Sequence, residues 1–450
     1  MKLTTSLSRD LADIHELKTN DKEQLINLII DFSAAALAGY KLNRTFNNAL
    51  EKAVLYQAGA AESSVLFQQE KYPARIAAFM NALYGHGAEL DDGNKKAAGH
   101  CGVHLIPAVF ALAEKIGSTN DEVLLALVVG YEAYIRISSA AQPGMVMRGF
   151  HSTGMAGTLA CAAACAKLYK LDAKGIEDAI ALATTMTGGL LSYGDSRPAI
   201  KPLNPAKAAE NGLFAAMLAS KGVRGPLESL EGQNGWFHAV SDCFDESCLH
   251  GTRHLLLHDC YFKLYPSCRH THCGIDAAIA LHKTVNTDDI ESINVHIYPN
   301  AIKLAGIKRP QNQDETKFSI QYTLACALLN GEYGISDMDP TVCSIDVSDL
   351  IEKINLIPDE SMEDRSRGIR GTRVEIVLSN GNTAEKTVLV PKGDPENPIS
   401  RADIINKLRV CAAGMANEGT LSELVTAIMS IDGCRQFENP MQVLKAGSCI

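Results

Sequence analysis

TGMAGTLACAAACAKL, residues 153–168, decides the fold of this chain. It contains no proline, its alanines favour helix, and small residues cover all sides of the turn instead of one stripe. Such a helix must be surrounded by other helices, because only close neighbours can bury it. Working outward, the same character recurs in NDKEQLINLIIDFSAAALAGY (20–40), NPAKAAENGLFAAMLASKG (204–222) and CGIDAAIALHKT (273–284). Together they imply a tightly packed helical bundle. In the first of these stretches Asn20 is expected to cap the helix and Glu23 to close a capping box.

From the N-terminus to residue 220 apolar positions fall three and four residues apart with turn signals between them, so this half reads as all-α. The pattern changes after residue 260. ESINVHIYP (291–299) alternates like a strand, and TRVEIVLSNGNTAEKTVLVP (372–391) is a strand, an Asn380-Gly381 turn and a second strand. KFSIQYTLACALLNGEYG (317–334) reads as a helix between them, and DESMEDRSRGIRG (359–371) as a loop. NPISRADIINKLRVC (397–411) and TLSELVTAIMSI (420–431) return to helical spacing, the first capped by Ser400. The expected fold is mainly α: a helical domain over 1–265, an α+β domain over 266–398, and C-terminal helices over 399–450 packing back on the first.

At 450 residues the chain is long for one core, and its 46% hydrophobic and 21% charged content is that of a globular protein. No uninterrupted apolar run marks a membrane span. The first residues carry Asp10, Asp13 and Glu16 where a signal peptide needs an apolar stretch. The 13 cysteines are scattered and odd in number, which fits reduced core thiols in a cytoplasmic protein better than a disulfide framework. A net charge of −10 with no basic stripe argues against a nucleic-acid partner.

Four segments concentrate chemistry. The first is GAELDDGNKKAAGHCGVHLIPAVFALAE (87–114), which sets Asp91, Asp92, Lys95, Lys96, His100 and His104 beside an apolar helix. Charged groups resist desolvation, so this is either one wall of a cleft or a solvated, glycine-flanked loop. In RGFHSTGMAGT (148–158) His151 stands at a helix start, where free N–H groups favour anions, although a lone histidine there is more often structural. AIKPLNPAKAAENG (199–212) holds Lys201 before a proline-punctuated turn and Lys207 in the next helix, the latter read as a solvated side chain. CYFKLYPSCRHTHCGIDAA (260–278) gathers Lys263, Arg269, His270 and His272.

Cys268, His270, His272 and Cys273 are possible zinc ligands, but their spacing is wrong and an extended R-H-T-H stretch would aim them apart. His100 and His104 lie four apart, yet HCGVH lacks the glutamate of a hydrolytic HExxH helix. Phosphate-loop, dinucleotide and nucleophile-elbow signatures are absent. No metal or cofactor is expected.

In order along the chain, these segments resemble the MmgE/PrpD family. GAELDDG with GHCGVHLIPAVFALAE resembles its acidic loop and following helix, and GFHSTGMAGTLACAAA its second histidine segment. IKPLNPAKAAENGLFAAMLASKGVRGP is similar to its lysine stretch, KLYPSCRHTHCGIDAA to its Tyr-Pro-x-Cys signature, and KFSIQYTLACALLNG to its Phe-Ser-x-x-Tyr helix; PKGDPENPIS also fits. The resemblance implies a large helical domain completed by the C-terminus, a smaller α+β lid, a homodimer, and metal-free chemistry on small di- or tricarboxylates. It makes Lys201, Tyr322, His151 and His100 the catalytic residues. Lys263, Arg269, His272, Glu89, Asp91, Asp92 and His104 become substrate-binding or supporting residues.

Against the family pattern Asp-Phe-Asp-Asp-Thr the chain has Glu89-Leu90-Asp91-Asp92-Gly93, losing the hydroxyl, and Asn204 replaces a common histidine. The resemblance implies a lyase of the 2-methylcitrate dehydratase type that removes a proton next to a carboxylate. The alternatives are an epimerase of an iminodisuccinate-like compound, a cis-aconitate decarboxylase-like enzyme, and an inactive carboxylate-binding homologue.

Overall fold

The computed structural model describes residues 2–56, 59–192, 200–252, 254–342, 344–364 and 367–445. The protein is mainly α with a smaller α+β part, and the chain divides into two compact units: Met1–Tyr261 with Ser400–Ile450, and Phe262–Ile399.

In the helical unit the opening stretch forms the helix Ser152–Leu168, buried at every position except Lys167. Its neighbours approach closely enough to demand glycine. A Cβ at Gly212 on the helix Leu203–Ser220 would lie 2.4 Å from Cys161 Cβ and 2.6 Å from the Thr158 carbonyl oxygen. At Gly130 on Asn120–Ala140 it would lie 2.5 Å from Leu105 Cδ2. Interior packing of this density leaves no slack for an added methyl.

The helix Thr19–Leu42 starts earlier than its sequence signals indicate. Its cap position is Lys18 and not Asn20, and the Lys18 N–H donates to the Asp21 carboxylate at 2.9 Å, so Asp21 does the work expected of Glu23. Thr19–Leu42 and Asn120–Ala140 are long and apolar enough to cross a membrane, although neither is an uninterrupted apolar run. Both are mostly buried within the helical unit, as central core helices are.

The C-terminal segment belongs to this unit. Ser400 caps Arg401–Ala412 in a capping box with Asp403, and Arg401 Nε donates to Asn27 Oδ1 at 2.7 Å. Lys407 on the same helix is buried and pairs with the buried Asp31 at 2.5 Å, donating also to the Leu90 carbonyl at 2.7 Å.

In the second unit, strands β1 (Ile290–Ile297), β2 (Ile354–Pro358), β3 (Thr372–Leu378) and β4 (Thr383–Val388) form one sheet in the order β4-β3-β1-β2. The β3-β4 hairpin turns where Asn380-Gly381 is read, with Gly381 at φ +81°. β1 pairs antiparallel with β3 but parallel with β2, a short strand that lacks clear alternation in the sequence. Ile293, Val295, Ile297, Val374 and Ile376 alternate onto the buried face. The helices His272–His282 and Ile320–Asn330 contribute Ile275, Ala278, Leu324 and Leu328 to the same core. Within 359–371, read as a loop, Glu363–Asp364 pairs with Ile369–Arg370; residues 365–366 lie outside the described residues.

Candidate active site

The acidic segment is not a solvated loop. Glu89, Leu90, Asp91, Asp92, Gly93 and Asn94 are all buried, while Lys96 is exposed. Asn94 locks the turn, its side-chain oxygen accepting from the N–H groups of Lys96 and Ala97 at 3.0 Å each and its own N–H donating to the Gly99 carbonyl at 2.9 Å. Glu89 at φ +54° and Ala98 at φ +50° sit in the left-handed region without being glycine. Non-glycine residues hold that conformation only where the surroundings enforce it, and such strain gathers at functional sites.

At the centre lies His86, the last residue of the helix Ala74–His86, which the sequence reading did not select. Its Nδ1 is 2.9 Å from Asp91 Oδ2, and His100 Nδ1 is 3.0 Å from the same oxygen. The two rings meet edge to face at 4.7 Å, and the His151 ring lies 5.8 Å from His86. Glu89 faces the opposite edges: Oε1 is 3.8 Å from His86 Nε2, and Oε2 is 3.9 Å from His100 Nε2. The Lys201 ammonium bonds to Glu89 Oε1. Thus Glu89, Asp91, His100, His151 and Lys201, all selected from sequence, converge on one group.

Burial sets the electrostatics. It pushes the His86 imidazole down to about 3, the opposing charge of Asp91 being too weak to offset it, so the ring is neutral at physiological pH. Burial alone would raise the Asp91 carboxyl, but charges of and hydrogen bonds from His100 and His86 hold it well below the usual range. Asp92 behaves oppositely: burial, then the charges of Asp31 and Asp91, push it up to about 7. It supports the helix Gly102–Ile116, accepting from the Gly102 N–H at 2.9 Å and from the Tyr131 hydroxyl at 3.3 Å.

His151 is the N-cap residue of Ser152–Leu168, and burial lowers it well below the ordinary histidine range. Its Nδ1 accepts from the Asn204 amide nitrogen at 3.0 Å, which puts the ring hydrogen on Nε2. Asn204 therefore sets a tautomer where the family pattern has another histidine. Gly93 is explained by Tyr261, whose hydroxyl would lie 2.5 Å from a Cβ there; the two residues pair across a short ladder.

His104 is corrected. Expected as a substrate contact, it is fully buried, packs against Tyr134 with centroids 5.0 Å apart, and finds no hydrogen-bond partner at either ring nitrogen. The i, i+4 spacing that pairs it with His100 fails because His100 precedes the helix whose interior holds His104. Lys207 is exposed and bonds to Glu210 at 2.6 Å, as a solvated lysine does.

The second unit holds the remaining selected residues. Arg269–Thr271 is a 3-10 turn running into the helix His272–His282, not the extended stretch expected of R-H-T-H. Arg269 pairs with Asp394 and lies 3.0 Å from His272 Nδ1, so its charge is met inside the unit rather than left free for a ligand. His272 is fully buried against Tyr265. The Tyr322 hydroxyl donates to the Asp337 carbonyl at 2.6 Å, and Lys263 is almost wholly buried. His270 bonds to the Tyr298 hydroxyl, and Cys273 Sγ to the Arg370 carbonyl at 3.2 Å, so with His272 three of the four zinc candidates turn to separate partners.

Among the described residues, two groups could hold a metal: His86, Glu89 and His100, and Asp92, Cys101 and Cys260, each with ligand atoms within 4.8 Å of one another. In the first, the Lys201 ammonium is already bonded to the carboxylate that a metal would need. In the second, burial raises both thiols and so disfavours the thiolates that bind metals.

Residues 10–248 match the model of the MmgE/PrpD N-terminal domain and residues 265–428 that of the MmgE/PrpD C-terminal domain. The chain is 26% identical over 460 residues to the cis-aconitate decarboxylase-like protein oryM of Aspergillus oryzae, covering 93% of each chain. It is 25% identical to cis-aconitate decarboxylase of Mus musculus, covering 97% of this chain and 92% of the relative. The Homo sapiens protein of that name is 27% identical, with 94% and 89% covered.

Proposed function

This chain belongs to the MmgE/PrpD family, and from that premise we propose that it is a lyase acting on a small di- or tricarboxylate, removing a proton next to a carboxylate without a metal. The observation that carries this reading is the part-buried Lys201 bonded to the buried Glu89, set against His100 and His151. A carbon acid beside a carboxylate needs a base close at hand and fixed positive charge where the enediolate develops. Lys201 passes a proton to Glu89 and, as the amine, takes the substrate proton; the restored ammonium then faces the new negative charge. His151, with its hydrogen fixed on Nε2, donates to a substrate carboxylate. Glu89 then gives its proton to the hydroxyl leaving the neighbouring carbon as water, which restores the Glu89–Lys201 ion pair and completes a 2-methylcitrate dehydratase type of elimination.

A second reading, decarboxylation, is favoured by the relatives whose names say cis-aconitate decarboxylase. Both are lyase reactions on a polycarboxylate. Incubating the protein in deuterated water with 2-methylcitrate, cis-aconitate and succinyl-amino acids, followed by proton NMR, tests both. Alkene formation from 2-methylcitrate supports elimination, and carbon dioxide release from cis-aconitate supports decarboxylation. Deuterium exchange or inversion without alkene would replace both with an epimerase.

A further inference from the structure

Two carboxylates bracket two imidazoles in this site. A single oxygen, Asp91 Oδ2, lies within 3.0 Å of Nδ1 on both His86 and His100, and each Glu89 oxygen faces one Nε2. An ionised carboxylate only accepts, so both rings carry a hydrogen on Nδ1, and His86, which burial keeps neutral, presents a bare lone pair at Nε2. Lone pairs aimed at a buried carboxylate repel it unless positive charge lies between them. The Lys201 ammonium bonded to Glu89 Oε1 supplies that charge, at the same oxygen that His86 Nε2 approaches.

We propose that His86 is a positioning residue of the active site: with Glu89 it forms a two-acceptor seat that holds Lys201 as an oriented ammonium. His86 is 1% exposed, so it acts through Lys201 and His100 and not on a substrate directly. Its Nε2 is buried with no hydrogen-bond partner, an orphan aimed at the seat. The charged and titratable groups around it are Asp91, Glu89, Lys201, His100, His104 and His151, and burial keeps it neutral among them. A neutral acceptor steadies an ammonium without adding a second negative charge that would bind it too tightly to move.

The orientation of Lys201 matters through the lyase reading, on which this inference rests; its state can be tested without substrate. His86→Asn keeps a donor near Nδ1 for Asp91 and removes the Nε2 acceptor, whereas His86→Gln returns an oxygen near the Nε2 position. In ligand-free protein with 13C-labelled lysine, the Lys201 resonance, identified by its loss in Lys201→Arg, should titrate about one pH unit lower in His86→Asn and return toward wild type in His86→Gln. On a polycarboxylate that the wild type turns over, His86→Asn should lower kcat about 10- to 100-fold with KM little changed, and the limb of the pH profile reporting Lys201 should move down alike. If no polycarboxylate is turned over, the lyase reading fails while the lysine titration still decides the seat. An unmoved Lys201 titration in His86→Asn overturns the proposal. So does tight one-to-one binding of a divalent metal to His86, Glu89 and His100, because the metal would take the place assigned to the ammonium.

Discussion

Asp92 is an acid whose ionisation burial pushes up to about neutral pH, and this has a measurable sign. Its folded value is raised from 3.8 to about 7, so its favourable contribution is fully present below the unfolded value and is lost as pH rises toward 7. The loss is on the order of 4 kcal/mol if the shift is realised in full. His86 runs the other way: its depressed value contributes stability above 6.5 that is lost as pH falls toward 3. Asp92→Asn removes only the first effect, so the thermal midpoint of the variant relative to wild type should rise between pH 5 and pH 8; an equal difference at both would refute the shift. Gly93→Ala should destabilise by about 1–3 kcal/mol through its clash with Tyr261, and Tyr261→Phe should relieve part of that. Denaturant melts of the two single variants and the double variant read this out, and strict additivity would count against the contact. At this scale Glu89, Asp91, His100, His151 and Lys201 were legible because polar groups crowd against apolar helices. His86 was not, since it closes the buried run ALYGH and looks like one more core residue.

Among the elements, the C-terminal helix Arg401–Ala412 reaches far back along the chain, bringing Lys407 to Asp31 and to the carbonyl of Leu90 in the acidic segment. Lys407→Ala removes the ammonium paired with the buried Asp31 and should cost about 3–5 kcal/mol, whereas Lys407→Met with Asp31→Asn should recover much of it. Urea melts of these variants check the prediction; a loss below about 1 kcal/mol in the single variant would mean the pair is solvated. Ser400 announced this helix through its capping box, and the Asn380-Gly381 turn announced the hairpin, because both are local devices. The Asp31–Lys407 pair and the parallel strand β2 were invisible. Each depends on residues far apart in sequence, and no periodicity encodes the partner.

For the whole molecule, the helical class was legible from small-residue stretches alone, since a helix buried all round implies neighbours. The chemistry was legible only as a cluster: the five groups of the site fall in three separate segments of the sequence, and the fold alone brings them within contact. If the cluster works as a side-chain acid–base centre, extensive dialysis against a chelator leaves activity unchanged, and a loss above about tenfold would restore a metal at His86, Glu89 and His100. The most direct test is kcat of Lys201→Ala, followed by proton NMR on the polycarboxylate that wild type turns over, with circular dichroism confirming the fold. A fall of about a hundredfold or more is predicted, because the group that moves the proton and faces the developing charge is gone. Activity within about twofold of wild type would contradict the assignment of Lys201 and, with it, the proposed centre.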